Sequence, residues 1–234
     1  YVERVMRLPH SYLCFSPADS TLDQEPPPLP ALATRKVIFG CFNNPAKLTE
    51  AVIACWSKLL QALPEAGLYL KGKSFDDGET TRRYQGMFAR HGIAPERLRL
   101  EGRSSRKELL AAYREVDIAL DPFPYNGGTT TVEALWMGVP VVSLRGDRFV
   151  GRVGESLLTA AGLEELIANT EETYIAIAAA LAADLPRLAG LRQQLRAKLV
   201  SSPLCDTATF TRNLEAVYLR MWETWCQTQK KYHE

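Results

Sequence analysis

The sequence lacks the features that mark several large classes of protein. It has no run of about 18 consecutive apolar residues, as a membrane helix requires, and its start, YVERVMRLPH, has no signal-peptide core. Its 28 Lys+Arg residues nearly balance its 27 Asp+Glu residues, which leaves a net charge of +1. We therefore expect neither nucleic acid nor a membrane among its partners.

Cysteine and histidine are too few and too scattered to build a framework. The five Cys residues form no C-x-x-C pair and there are only three His residues, so we expect no disulfide framework and no metal site. This usage favours a reducing cytoplasm. The chain also has no G-x-G-x-x-G and no G-x-x-x-x-G-K-[ST], which argues against dinucleotide cofactors and P-loop NTPases, and we expect no cofactor.

What the sequence does contain is a regular alternation of short apolar runs and helical periods. The runs that predict buried strands are 37–42, 67–71, 98–101, 116–120, 139–144 and 166–168, and the patterns that predict helices are 48–63, 78–91, 105–114, 129–137, 153–160, 171–183, 186–199 and 207–225. Strands that alternate with helices in this way predict an α/β fold with a doubly wound parallel sheet, followed by C-terminal helices.

The two ends of the chain differ from this central region. Residues 1–34 show no period and contain Pro26, Pro27, Pro28 and Pro30, so we interpret them as an extended connecting arm. Residues 35–200 form the predicted sheet domain. Residues 201–234 are interpreted as a C-terminal helix that packs back on this domain or on a missing neighbouring domain. Since the chain begins with Tyr rather than Met, we expect a fragment of a longer protein.

The most informative stretch runs from Val116 to Leu144, where a predicted strand, a polar turn, a helix and a second strand follow one another. The turn carries Asn126, Gly127 and Gly128, and the helix begins with Thr129 and Thr130. Glycine lets the backbone approach a ligand closely, and the first N–H groups of a helix lack intrahelical partners. This pattern predicts a phosphate site, although the threonines could also be simple N-caps.

Glu133 lies on the same helical face as Thr129 and Thr130, one turn further along. A carboxylate in this position could accept hydrogen bonds from ribose hydroxyls, or it could merely complement the helix dipole.

Further candidates fall at the same predicted edge of the sheet, where strands end and helices begin. They are Asn44 and Lys47 after the first strand, Ser104 and Arg106 after the third, and Arg152 in a glycine-flanked basic loop. Open α/β sheets bind ligands at this edge. Each residue also has a simpler explanation, as a serine N-cap or a solvated surface charge, and only their convergence predicts a nucleotide site.

Three segments carry a family resemblance: FGCFNNPAKLTEAVIACWSKLL, VDIALDPFPYNGGTTTVEALWMGVPVVSLRGDRFVGRVGESLL and SSPLCDTATF. They resemble the carboxyl-terminal half of the catalytic region of protein O-GlcNAc transferases, especially bacterial members with tetratricopeptide repeats. The resemblance implies a Rossmann-like domain, the second of a GT-B glycosyltransferase. It implies transfer of GlcNAc from UDP-GlcNAc to Ser or Thr of a protein, with inversion and without a metal.

The resemblance also implies roles for single residues. Lys47 would contact the diphosphate and stabilise the departing UDP, as the catalytic residue of this half. Thr129 and Thr130 would bind the diphosphate, and Glu133 would contact the ribose.

Asn44 matches a polar position beside the nucleotide, and Arg106 matches a basic position near the backbone that binds uracil. Two residues depart from the family pattern: Leu109 stands where a histidine is common, and Gly128 stands where some members have a histidine. These departures leave open another sugar, an asparagine acceptor or a catalytically inactive interaction module.

The family's first catalytic domain and its repeats, which supply most of the acceptor site and the proposed base, are missing from this chain. We therefore expect the chain alone to bind UDP-sugar weakly and not to turn it over.

Overall fold

The computed structural model describes residues 2–17 and 26–230, so the acidic part of the proline-rich arm, in residues 18–25, lies outside the described residues. Six strands form one parallel sheet: β1 (Ile38–Cys41), β2 (Gly67–Lys71), β3 (Leu98–Glu101), β4 (Ile118–Leu120), β5 (Val141–Leu144) and β6 (Ile167–Ala168). Their order is β3-β2-β1-β4-β5-β6, and every neighbouring pair is parallel. The predicted doubly wound α/β sheet is confirmed.

Helices connect the strands and continue beyond the last one. They are α1 (Pro30–Thr34), α2 (Glu50–Ala62), α3 (Gly78–Ala89), α4 (Arg106–Ala112), α5 (Thr129–Trp136), α6 (Val153–Ala160), α7 (Glu171–Ala183), α8 (Leu185–Val200) and α9 (Thr207–Lys230). Among the described residues no single helix is long and apolar enough to cross a membrane, and α7 with α8 meets the length and composition criteria only as a pair bent by 98°.

The central strands are buried because helices cover the sheet. α2 packs against α3 and α7, whereas α5 packs against α6 and α8. A continuous apolar sequence such as that of β1 is typical of a parallel strand covered on both faces. The core also contains Trp56, whose Nε1 donates to the Tyr174 hydroxyl at 3.2 Å and so joins α2 to α7.

The end of the arm is tied to the sheet by two buried charged residues. Asp117 accepts hydrogen bonds from the backbone N–H groups of Ala31 (2.9 Å) and Ile38 (2.8 Å). Arg192 donates to the carbonyl of Pro27 at 2.9 Å and to that of Val116 at 2.7 Å. These contacts place a short helix, α1, in the stretch that the prolines led us to interpret as extended. Pro30 is compatible with it because it occupies the first helical turn, where no N–H donor is needed.

The last helix, α9, is five residues longer than the predicted 207–225 and carries exposed aromatic residues. Trp222 and Trp225 stack with ring centroids 5.1 Å apart, and both are exposed, as is Tyr218. Val217, in contrast, is buried against the rest of the chain.

Candidate functional site

The predicted site residues meet where β1 and β4 lie side by side. From β1 the chain proceeds to β2 on one side, and from β4 it proceeds to β5 on the other, so the two strand ends open a crevice between them. Doubly wound sheets bind ligands at such a topological switch point. Here the crevice lies between the turn that follows β1, residues 42–47, and the turn that follows β4, residues 121–128.

Lys47 projects from the first turn onto the second. Its Nζ donates to Asn43 Oδ1 at 3.1 Å and to the carbonyl of Asn126 at 2.8 Å, and it lies 4.1 Å from the ring centroid of Tyr125. Burial lowers the pKa of Lys47, while the nearby Asp121 carboxylate raises it. The ammonium is therefore held in place at the mouth of the crevice, with part of its surface still open.

Asn43 is a residue of the crevice that the sequence prediction did not include. The side chain is buried, and its Oδ1 accepts from Lys47 and, at 3.1 Å, from the Thr130 hydroxyl, which joins the turn after β1 to the start of α5. The neighbouring Asn44, which we predicted, is exposed, and its side chain accepts from the N–H of Ala46 at 3.0 Å. The sequence signal for Asn43 is the Asn-Asn pair directly after a buried strand, and the prediction includes only its second member, Asn44.

The start of α5 is left open. Its N-cap is Gly128, and no side chain caps the helix. Thr131 is 2% exposed, and its hydroxyl finds no hydrogen-bond partner among the described residues. Unpaired N–H groups, a positive dipole end and a buried unpaired hydroxyl together make a site for an anion.

Gly127 is the residue that brings the turn close to the helix. A Cβ on Gly127 would lie 2.5 Å from Thr130 Oγ1, 2.8 Å from Thr131 Oγ1 and 3.0 Å from Asn43 Nδ2. A Cβ on Gly128 would have no neighbour nearer than 3.6 Å. Close packing therefore requires glycine at position 127 and not at position 128.

Asp121, the second residue that we missed, lies beneath the turn. It is 1% exposed, and its carboxylate accepts from the N–H of Gly127 and from the hydroxyl of Ser143, each at 2.6 Å. Burial raises the pKa of Asp121 to about 7, although both hydrogen bonds and Lys47 lower it. A carboxylate placed directly after a buried strand was the available signal.

The side chain of Asn126 serves the fold of the turn. Its Nδ2 donates to the carbonyl of Pro122 at 3.1 Å, and its Oδ1 accepts from the N–H of Gly154 at 3.3 Å. We predicted that this residue would contact the ligand. In the structure its carbonyl accepts from Lys47 and its side chain is buried, and the predicted contact stays a prediction.

Glu133 and Arg106, predicted as separate contacts, form an ion pair. Arg106 Nη2 lies 2.9 Å from Glu133 Oε1, and the two side chains are 56% and 4% exposed. Burial raises the pKa of Glu133, and Arg106 lowers it. Near them Ser105 is the N-cap of α4 and forms a capping box with Glu108. The half-buried Ser104, which we predicted, does not cap the helix.

Arg152 lies in a loop that is closed on itself. Its Nε donates to the carbonyl of Gly146 at 3.1 Å, and the N–H of Gly146 donates to the carbonyl of Gly151 at 2.7 Å. The side chain remains exposed at the start of α6.

A cleft of about 370 Å³ continues from Asn43 along the carboxyl ends of β1, β2 and β3. This volume lies in the range of small-molecule sites. Asn44, Ser104 and Leu109 line the cleft. Within residues 2–17 and 26–230, no group of three or more His, Cys, Asp or Glu side chains is arranged to hold a metal ion.

Comparison with known proteins assigns the chain to a family. The profile described as Glycosyl transferase family 41 matches residues 29–214, which is more than half of the chain. The chain belongs to glycosyl transferase family 41. The predicted resemblance to O-GlcNAc transferases is thereby confirmed.

Plant members of family 41 are among its relatives. The probable UDP-N-acetylglucosamine--peptide N-acetylglucosaminyltransferase SPINDLY of Solanum lycopersicum is 41% identical over 227 residues, which cover 97% of this chain and 24% of the relative. The corresponding SEC protein of Arabidopsis thaliana is 31% identical over 240 residues, covering 100% of this chain and 24% of that protein. This family 41 chain therefore spans about a quarter of the length of these relatives.

Solved structures place the family 41 chain in the GT-B architecture. A mutant of the Thermobaculum terrenum O-GlcNAc transferase is 44% identical, with a TM-score of 0.87, and the match covers 97% of this chain and 42% of that one. Anabaena Alr3699/HepE in complex with UDP and glucose is 16% identical, with a TM-score of 0.56 over 87% of this chain and 53% of that one, and shows the fold alone. The predicted Rossmann-like fold of a GT-B glycosyltransferase is confirmed.

Proposed function

We propose that this chain is the UDP-sugar-binding part of a metal-independent, inverting protein O-GlcNAc transferase, with UDP-GlcNAc as donor and Ser or Thr of a protein as acceptor. One observation carries the proposal: the Lys47 ammonium, held by Asn43 and the carbonyl of Asn126, lies beside the uncapped start of α5. A fixed cation and a helix N-terminus together suit a diphosphate. The names of the relatives support the choice of donor.

The chemical role of this site is to stabilise a leaving group. During transfer, the acceptor hydroxyl forms a bond to the anomeric carbon from the face opposite UDP. The bond between that carbon and the β-phosphate oxygen breaks, and the hydroxyl proton passes to a base. Negative charge then accumulates on the phosphate, where Lys47 and the N–H groups and hydroxyls at the start of α5 stabilise it. These groups take the role that a divalent cation has in other transferases.

We assign the base and most of the acceptor site to protein outside this chain, since the chain spans about a quarter of the length of its relatives. Glu133, which pairs with Arg106, is assigned to the ribose. The cleft beyond Asn43, lined by Asn44 and Ser104, is assigned to the uracil. On this assignment the 234-residue chain binds the donor without turning it over.

A second candidate is a related transferase with a different donor. Leu109 lines the cleft and is half buried, in a position where the resemblance predicts a histidine. Leucine in place of histidine removes a hydrogen-bonding group from the lining of the cleft. Affinities measured for a panel of UDP-sugars separate the two candidates. GDP is the control for recognition of the uracil.

Calorimetric titration of UDP into the chain and into Lys47→Ala tests the proposed function. The substitution is expected to weaken binding more than about tenfold, or about 1.4 kcal/mol, because it removes a positioned charge from the diphosphate. Lys58→Ala is the matched control, since Lys58 is an exposed lysine of α2. It is expected to bind UDP as the unmodified chain does.

Equal binding by the unmodified chain and Lys47→Ala would contradict the role of Lys47. If neither folded protein binds UDP, the same titration is made on the longer natural protein, and a second failure there would overturn the donor-site proposal. Sustained transfer to a peptide by the chain alone would contradict our assignment of the base and acceptor site to another part.

A further inference from the structure

The N-terminal arm is fixed beside the start of α5 by contacts on either side of Tyr12. The hydroxyls of Ser11 and Ser156 lie 3.4 Å apart, which attaches the arm to α6. The N–H of Phe15 donates to the carbonyl of Leu204 at 2.7 Å, and the Phe15 ring lies 6.0 Å from that of Trp136. Ser11 and Phe15 are buried, so the backbone between them is well constrained.

Tyr12, by contrast, faces the crevice. It is 47% exposed, and its ring lies 5.1 Å from that of Phe149 at an angle of 58°. Its hydroxyl is 3.6 Å from the position that a Cβ on Gly128 would occupy. The phenol therefore lies next to the N-cap of α5 and near Tyr125, whose ring Lys47 contacts.

Two independent observations point to a ligand at this spot. The helix start has no side-chain cap, and the hydroxyl of Thr131, 2% exposed, has no hydrogen-bond partner within the described part of the chain. Burial and the neighbouring Tyr125 raise the pKa of Tyr12, so its hydroxyl keeps its proton at neutral pH and can donate it to an anion.

We propose that Tyr12 donates a hydrogen bond to the distal phosphate of a nucleoside diphosphate bound at the start of α5. The arm is then part of the donor site, and not only a connection leading into the domain. This inference rests on the proposed function and assigns a further residue to the same site. It accounts for an exposed tyrosine that lies between the buried residues Ser11 and Phe15 with its hydroxyl beside Gly128.

The test compares Tyr12→Phe with the unmodified chain for UDP and for UMP, which lacks the distal phosphate. Removing the hydroxyl alone is expected to weaken UDP binding about three- to tenfold, the net contribution of one ordinary hydrogen bond, and to leave UMP binding within twofold. Tyr218→Phe, on the exposed face of α9, is the matched control and is expected to change neither affinity. Thermal unfolding confirms that each variant folds.

Unchanged UDP affinity in Tyr12→Phe, together with weakened binding in Lys47→Ala, would show that Tyr12 only packs against Phe149 and would overturn the inference while the donor site stands. An equal loss for UDP and UMP would also overturn it, because the effect would not follow the distal phosphate. Failure of the unmodified protein to bind UDP at all would instead remove the proposed function, and this inference with it.

Discussion

Arg106 of α4 and Glu133 of α5 form a 2.9 Å ion pair across the crevice side of the sheet. The arginine is more than half exposed, whereas the carboxylate is almost completely buried. The pair therefore offsets part of the cost of desolvating the Glu133 carboxylate, and it connects the first turn of α4 to α5.

Arg106→Ala is expected to destabilise the chain by about 1 kcal/mol, because it leaves the Glu133 carboxylate buried without its cation. The value is well below that of a fully buried pair, since solvent screens the exposed guanidinium. Urea denaturation measures the difference. Arg103→Ala is the control: Arg103 pairs at 2.7 Å with Asp76 in an exposed position, and its removal is expected to change the free energy of unfolding little. Equal losses in both variants would contradict this account.

Asp121 should make the stability of the chain depend on pH. Its pKa is raised by burial from 3.8 to about 7, so the folded state holds a proton that the unfolded state releases. The stability that this carboxyl contributes is fully present below pH 3.8 and is lost as the pH rises to about 7, with a slope of at most about 1.4 kcal/mol per pH unit.

Asp121→Asn cannot titrate, so the stability of the unmodified chain relative to this variant is expected to fall between about pH 4 and 7 and then to level off. Urea denaturation at intervals across this range measures it. In Ser143→Ala the Asp121 carboxylate loses a hydrogen bond that lowers its pKa. The pH at which the stability stops falling should therefore be higher in this variant. A constant difference between the unmodified chain and Asp121→Asn would show that Asp121 is already ionised throughout.

The two glycines of the turn should respond differently to the same change. Gly127→Ala is expected to cost about 1–3 kcal/mol of stability and to weaken UDP binding, because its Cβ would press on both Thr130 and Thr131. Gly128→Ala is expected to cost less stability than Gly127→Ala, since its Cβ position has ordinary contact distances. Chemical denaturation and UDP titration of the pair measure both effects, and equal tolerance at the two positions would contradict the close approach of the turn.

The secondary structure could be predicted largely from local patterns. Strand β2, strand β3 and helix α7 have the predicted bounds, because apolar runs and helical periods are properties of neighbouring residues. Helix α1 was missed. It depends on Asp117, which is 86 residues away from Ala31 in the sequence and accepts its N–H.

Predicting the site was harder, because the sequence shows residue types and not the direction in which side chains point. The order of turns and strands brought Lys47, Thr129 and Thr130 to one edge. It could not show that the side chain of Asn126 turns inward, or that Asn43 rather than Asn44 joins Lys47 to Thr130.

By itself, then, the sequence determined the doubly wound sheet, the glycine-threonine turn at the start of α5 and the resemblance to O-GlcNAc transferases, since periodicity and motif spacing are local. Only the tertiary structure decided which polar groups meet: Arg106 with Glu133, Asp121 beneath Gly127, and Tyr12 beside Gly128. The physical reason is that packing determines burial and hydrogen bonding between distant segments. Packing therefore determines the pKa of Asp121 and which polar groups at the start of α5 have no partner within the described residues.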